Sequence, residues 1–124
     1  MAYEIPGFSF PLPSGADFTS GKQFRFVDVS ASGKAVNPTA GGSVIGVRQT
    51  RPRENEATTI VHSGISIVES GGVITSGDLV AADATGRAVK AAAGNVTAGR
   101  AMESSTAAGI QIAVLLIPSA AQAS

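Results

Sequence analysis

The nearest this chain comes to a phosphate-binding loop is residues 15–23, Gly-Ala-Asp-Phe-Thr-Ser-Gly-Lys-Gln. That chemistry needs a Ser or Thr after the Lys to reach magnesium, but Gln23 follows Lys22 and one residue too many separates Gly15 from Gly21. The stretch reads as a β-turn. His62 is the only histidine and cysteine is absent, so neither a histidine-paired metal site nor thiolate chemistry can be assembled. Neighbours on a strand point to opposite faces, so Ser63 cannot be the nucleophile partner of His62, which is expected as a half-buried strand residue. Asp17, Asp28, Asp78 and Asp83 are spaced as turn residues rather than as the converging oxygen ligands of a calcium loop. Asn95-Val96-Thr97 has the form of a glycosylation sequon, which matters only in an exported chain. The one basic cluster, Arg48, Arg51 and Arg53, is answered by Glu54 and Glu56. It reads as a solvated loop, or as a partner contact in which planar guanidinium groups meet carboxylates. With no acid/base pair, nucleophile or cofactor fingerprint, the expectation is a protein without catalysis, metal or cofactor.

The elements that carry these residues are extended. Residues 1–20 hold Pro6, Pro11 and Pro13 among large apolar side chains, Tyr3, Ile5, Phe8, Phe10 and Leu12, a pattern for an extended N-terminal arm. Those side chains lie along their own domain or dock on a neighbouring subunit, and the sequence leaves both open. From Gly21 onward the apolar period is two: Phe24 and Phe26 alternate with Arg25, then Val27 and Val29 flank Asp28. Further strands are expected at 44–48, 58–68, 79–82, 88–91, 97–103 and 110–117, punctuated by Gly with Ser, Thr, Asp or Asn. The fold class expected is all-β: a small compact β-barrel or β-sandwich over 21–118, with a tail at 119–124.

The strands also repeat. A shift of 53 residues aligns Ala31 with Ala84, Gly33 with Gly86, Lys34 with Arg87, Ala35 with Ala88, Val36 with Val89, Gly41 with Gly94 and Gly46 with Gly99. Each copy carries a type I turn signature, Ser30 or Asp83 first and Gly33 or Gly86 fourth. Two similar β modules are therefore expected, at about 19–68 and 73–117, both ending in Gly-Ile-x-Ile (64–67 and 109–112), the first lengthened by a charged insertion at 48–57.

Composition narrows the classes of function. The 124 residues suit one domain, and nine basic against nine acidic residues create no global field to gather nucleic acid or acidic lipid. Glu4 stands where a signal peptide carries positive charge, and the longest apolar run, 110–117, is far short of the roughly 20 residues a membrane helix needs. A protein soluble in the cytoplasm where it is made is expected, without membrane or nucleic-acid partners.

Ser76-Gly77-Asp78-Leu79-Val80, Asp83-Ala84-Thr85-Gly86-Arg87-Ala88-Val89, Ala93-Gly94, Gly99-Arg100-Ala101 and the terminal strand 109–117 resemble the capsid cement, or head decoration, proteins of tailed bacteriophages. The likeness is best over 73–117, looser over 19–67 and absent from the arm. It implies a compact β domain on the outside of the virion capsid, partnered by the major capsid protein and by itself, commonly as a homotrimer, that stabilises the shell. On this reading Tyr3, Ile5, Phe8, Phe10 and Leu12 anchor the arm to the capsid or a neighbouring copy, with Arg48, Arg51 and Arg53 as a secondary contact. Deleting residues 2–13 is then expected to leave a folded domain that fails to decorate expanded heads. The rival is a carbohydrate-binding head fibre or host-recognition domain, which the absence of tryptophan disfavours; a small β-barrel hydrolase ranks last.

Overall fold

In a computed structural model of the chain, residues 3–20 and 23–117 are described; the tail expected at 119–124 and the Gly21-Lys22 step lie outside them. The described residues form eleven strands and no helix: β1 (Ile5–Pro6), β2 (Ser9–Pro13), β3 (Arg25–Val29), β4 (Ala35–Val36), β5 (Gly46–Arg48), β6 (Ala57–Val61), β7 (Gly64–Glu69), β8 (Leu79–Ala82), β9 (Ala88–Lys90), β10 (Gly99–Ala101) and β11 (Gln111–Leu116). They make two antiparallel sheets, one ordered β2-β6-β5-β3-β4 and the other β1-β7-β11-β10-β8-β9. The all-β expectation holds, and the geometry lies between its two forms. Each sheet curls back on itself, Ser14 past the end of β2 bridging Ala35 of β4 in one and Ser70 past the end of β7 bridging Ala88 of β9 in the other, so that two half-barrels pack together.

The arm is not a separate limb. β1 pairs with β7, Ile5 opposite Ile65, and β2 pairs with β6 along its whole length, from Ser9 opposite Val61 to Pro13 opposite Ala57. Between them Gly7 N–H donates to the Ser63 carbonyl (2.9 Å) and His62 N–H to the Phe8 carbonyl (2.8 Å). Residues 5–13 thus run antiparallel to 57–65 as one ribbon that crosses from sheet to sheet. Phe8 and Ser14 turn their backbone groups toward β6, so alternation turns those of Ser9, Pro11 and Pro13 outward. Two of those three residues have no N–H, which leaves the outer edge of β2 a poor template for another strand.

Residues 58–68, expected as one strand, are two strands in different sheets. The chain changes sheet at Gly64, whose φ of 91° is one that L side chains rarely adopt and where a Cβ would collide with the backbone of Ile5 and Gly7. This break moves the module boundary. Strand β7, expected to end the first module, opens the second, and the equivalent of Gly109 is Asn55. Both have positive φ (87° and 66°), and each donates its N–H at 2.8 Å to a serine carbonyl, Ser70 or Ser14. Nor are residues 48–57 an insertion. Their connection is matched by 102–110, with Phe18 N–H on the Pro52 carbonyl (2.8 Å) where the second copy has Ile74 N–H on that of Ser105 (2.9 Å).

The remaining backbone bonds repeat in step. Ile45 N–H donates to the Val27 carbonyl and Ala98 N–H to that of Val80, both at 2.8 Å. Phe24 N–H donates to the Arg48 carbonyl (2.7 Å) and Gly77 N–H to that of Ala101 (2.8 Å). Phe24 thus holds a left-handed φ of 59° at the position Gly77 fills with φ 96°. Its carbonyl then accepts from Glu69 N–H (2.9 Å), joining the sheets. One apolar cluster, Val27, Ala35 and Ile60 with Phe10, Leu12 and Ile45 against them, fills the first half-barrel. A larger one combines Phe26, Val47 and Val61 of the first sheet with Val68, Val80, Ala88, Ile112 and Val114 of the second.

The two hairpin turns show how sequence sets this local structure. Gly33 N–H bonds the Ser30 carbonyl (2.9 Å) and Gly86 N–H that of Asp83 (3.0 Å), with φ of 79° and 84° at the glycines. Asp83 Oδ1 also accepts from the N–H groups of Thr85 and Arg87 and from the Thr85 hydroxyl, each at 2.9 Å. Burial works against this carboxylate, but those donors and the Arg87 charge outweigh it and hold its pKa below the ordinary 3.8. Because the carboxyl titrates lower in the folded chain than in the unfolded one, the stability it adds is whole above about pH 5. It is lost as pH falls through the unfolded value toward the folded one.

Two stability tests arise. Asp83→Asn is expected to cost about 1 kcal/mol at neutral pH and nothing comparable at about pH 2, read by urea unfolding of both proteins; an equal loss at both pH values contradicts the account of the turn. Gly64→Ala is expected to cost about 2 kcal/mol or more, and a melting temperature equal to that of the parent would show that the sheet change does not depend on this glycine.

Candidate interaction surface

His62, Ser63 and the four aspartates each make contacts that hold the fold. His62 sits at the corner between β6 and β7, its Nδ1 2.7 Å from the Ile45 carbonyl. A carbonyl only accepts, so Nδ1 carries the proton. The ring lies edge-on to Phe8 (centroids 6.1 Å apart) and near Phe10 (6.2 Å). A hollow lined by His62, Phe26, Val44 and Leu116 encloses about 10 Å³, room for a single water at most. Ser63 Oγ accepts from Phe8 N–H at 2.8 Å, so this serine ties down the arm. The aspartates do turn work: Asp17 and Asp83 bind the N–H and hydroxyl of the threonine two residues on, Asp78 binds Thr75 N–H and Asp28 binds Val29 N–H. The Thr19 hydroxyl and N–H hold the Asp17 carboxyl below its usual range. Among the described residues no group of three His, Cys, Asp or Glu side chains could hold a metal ion.

The arginine cluster separates. Arg48 is fully buried, its guanidinium carbon 3.8 Å from the centre of the Phe18 ring. Burial first, and the charge of Arg25 second, push its pKa down to about 10, so it stays protonated at neutral pH. Arg48 is therefore a packing residue of the first half-barrel and not the surface contact expected; the second copy has Ala101 there. Arg51 and Arg53 are exposed, on a loop pinned by buried Pro52, by the Thr50–Thr58 hydroxyl pair (2.8 Å) and by Arg53 N–H on Glu56 Oε1 (3.1 Å). A separate ion-pair group, Arg25–Glu69 (3.2 Å), Arg87–Glu69 (3.6 Å) and Arg87–Asp83 (3.5 Å), clamps the second hairpin to the first sheet.

The arm's apolar residues also divide. Phe10 and Leu12 pack on Val27, Ala35 and Ile60, so they anchor the arm to its own domain rather than to a partner. Tyr3, Ile5 and Phe8 remain open, 40%, 63% and 60% exposed. Ile5 does not stand alone. Strand register sets Ile5 opposite Ile65, Ile65 opposite Leu115, Leu115 opposite Arg100 and Arg100 opposite Leu79, one row across the outer face of the larger sheet. Residues two positions along share that face: Tyr3 beside Ile5, Ile67 and Ala113 in register with each other, and Met102, whose N–H bonds the Ala113 carbonyl. Leu115 and Met102 are each 39% exposed. Sequence reasoning missed Ile65, Arg100, Met102 and Leu115, because alternation reveals two faces without telling which one the fold covers.

Known proteins now bear on this surface. A family model described as phage cement protein matches residues 21–116. Among solved structures, the head fibre gp8.5 N base in bacteriophage phi29 is similar with a TM-score of 0.72. The alignment covers 94% of this chain and 98% of that one at 16% identity, a likeness of fold. No curated protein matches the chain in sequence. Since the family match runs from the end of the arm through the last strand, this chain, a capsid-associated structural protein of the phage virion, belongs to the phage cement protein family.

Proposed function

We propose that the protein is a capsid cement: it binds the outer surface of an assembled phage head, contacts the major capsid protein and reinforces the shell without catalysing a reaction. The observation that carries this reading is an open, mostly apolar row on the outer face of the larger sheet, on a body whose arm is paired to its own strands. A pre-ordered surface loses little freedom on docking, so modest contacts suffice. If the chain acts as a homotrimer at three-fold lattice positions, as the family resemblance implies, three such contacts act together and hold far more firmly than one. Side chains rather than strand addition carry the contact along the arm, because Pro11 and Pro13 blunt the edge of β2.

The fold shared with a head-fibre base supports a second form of the same idea, a capsid-seated mount for a further host-recognition part. A sugar-binding role for the domain itself has only the open Tyr3 and Phe8 rings in its favour, and the hollow at His62 is far too small for a sugar.

Purified protein added to expanded heads that lack it is expected to co-sediment with them to a saturating number of copies and to raise the temperature at which they rupture. Heads that neither retain the protein nor gain heat resistance would contradict the cement reading, and clear binding on a glycan array would favour the recognition role.

A further inference from the structure

The two sheets carry the same outer row, and the fold covers only one copy of it. The paired bonds Ile45 to Val27 and Ala98 to Val80 put the two copies in register. Phe26, Val47, Val61 and Ser9, successive partners across the smaller sheet, therefore correspond to Leu79, Arg100, Leu115 and Ile65 across the larger one. In the smaller sheet the row is buried from Phe26 to Val61, Phe26 and Val47 fully and Val61 to 4%, in one cluster with Val68, Ile112 and Val114 of its neighbour, and only Ser9 at its end is exposed. In the larger sheet the equivalent row faces outward, from half-buried Leu79 and Ile65 to Leu115 at 39% and Ile5 at 63% exposure.

All four positions differ between the copies, and one of them differs in charge: where the covered row has Val47, the open row has Arg100. Its Nη1 donates to the Gly77 carbonyl (2.8 Å), and no carboxylate among the described residues pairs with it. A guanidinium carries five donors, so most of its capacity is unspent. We propose that the row of Ile5, Ile65, Leu115 and Arg100, widened by Tyr3 and Met102, is the face that seats on the capsid. The capsid side supplies an apolar surface with a carboxylate set against Arg100. This rests on the cement reading and adds to it the face and the chemistry of the partner. Charge favours a partner that brings an acid: no carboxylate of this chain's described residues pairs with Arg100, and covering its guanidinium without one is costly. A different surface that brings a carboxylate removes that penalty and makes the contact directional.

The test compares wild type, Leu115→Asp, Arg100→Glu and a control, Val29→Asp, at an exposed apolar residue of the smaller sheet. Each is added to expanded heads lacking the protein; bound copies are counted, and the free proteins are examined by sedimentation velocity and thermal melting. The expected result is that Leu115→Asp and Arg100→Glu each weaken binding about tenfold or more, keep the free protein's size, and leave Val29→Asp binding like wild type. Should Leu115→Asp fail to fold, exposed Arg100→Glu decides the matter alone. Folded face variants that decorate as well as wild type overturn this inference and leave the cement reading standing. Face variants that change the size of the free protein assign the row to contact between copies and overturn it too. Wild type that fails to bind heads removes the cement reading, and this inference with it.

Discussion

The structure depends on one antiparallel ribbon, residues 5–13 laid along 57–65. Two small half-barrels share an apolar cluster of mostly small and β-branched side chains, with Phe26 its one aromatic ring. The ribbon spans the point where the chain leaves one sheet for the other, and its backbone bonds fix both. Glu4 extends it, its Oε2 accepting from Ile67 N–H (3.3 Å) and Ser66 Oγ (3.0 Å) where β1 stops. Phe24 makes a second tie by donating into one sheet and accepting from the other. With these in place the smaller sheet's edges meet at Ser14 and Ala35 and prolines blunt β2, so the open apolar row on the larger sheet can serve a partner through side chains rather than strand edges.

Much of this was legible in the sequence wherever the cause is local. The turns at Ser30–Gly33 and Asp83–Gly86 need an oxygen acceptor at the first position and a left-handed glycine at the fourth, and both requirements are written in residue type. Strand periods were equally plain, as was the repeat, because equivalent turns keep equivalent residues. What could not be read were consequences of tertiary placement. Gly64 looked like any strand glycine, yet its left-handed φ sends two halves of an apparent strand into different sheets and shifts the module boundary. Arg48 looked like a solvent residue, since nothing local announces that Phe18 will stack on it. Phe24 occupies a conformation its side chain disfavours, a fact visible only beside Gly77 in the other copy.

The same limit governed the interaction surface. The arm's side chains were recognised as apolar groups in need of a place, but Phe10 and Leu12 turn inward while Tyr3, Ile5 and Phe8 turn out. Strand period alone does not make that division, since Phe8, Phe10 and Leu12 share a parity: Phe8 lies where the ribbon crosses between the sheets, resting against Phe10 and His62, while Phe10 and Leu12 reach the core of the smaller sheet. The residues that complete the outer face lie far along the chain and become neighbours only through the register of β7, β11 and β10. The open row is recognisable as exposed by design because its equivalent is buried.

The central claim is that a body stitched together by its own arm meets the shell through the outer face of its larger sheet. A density map of decorated heads, compared with bare ones, tests it most directly. The account predicts residues 5–13 still paired to 57–65 and the Leu115–Arg100 row turned toward the capsid. An arm peeled from the domain and inserted between capsid subunits, with that row facing solvent, would contradict it.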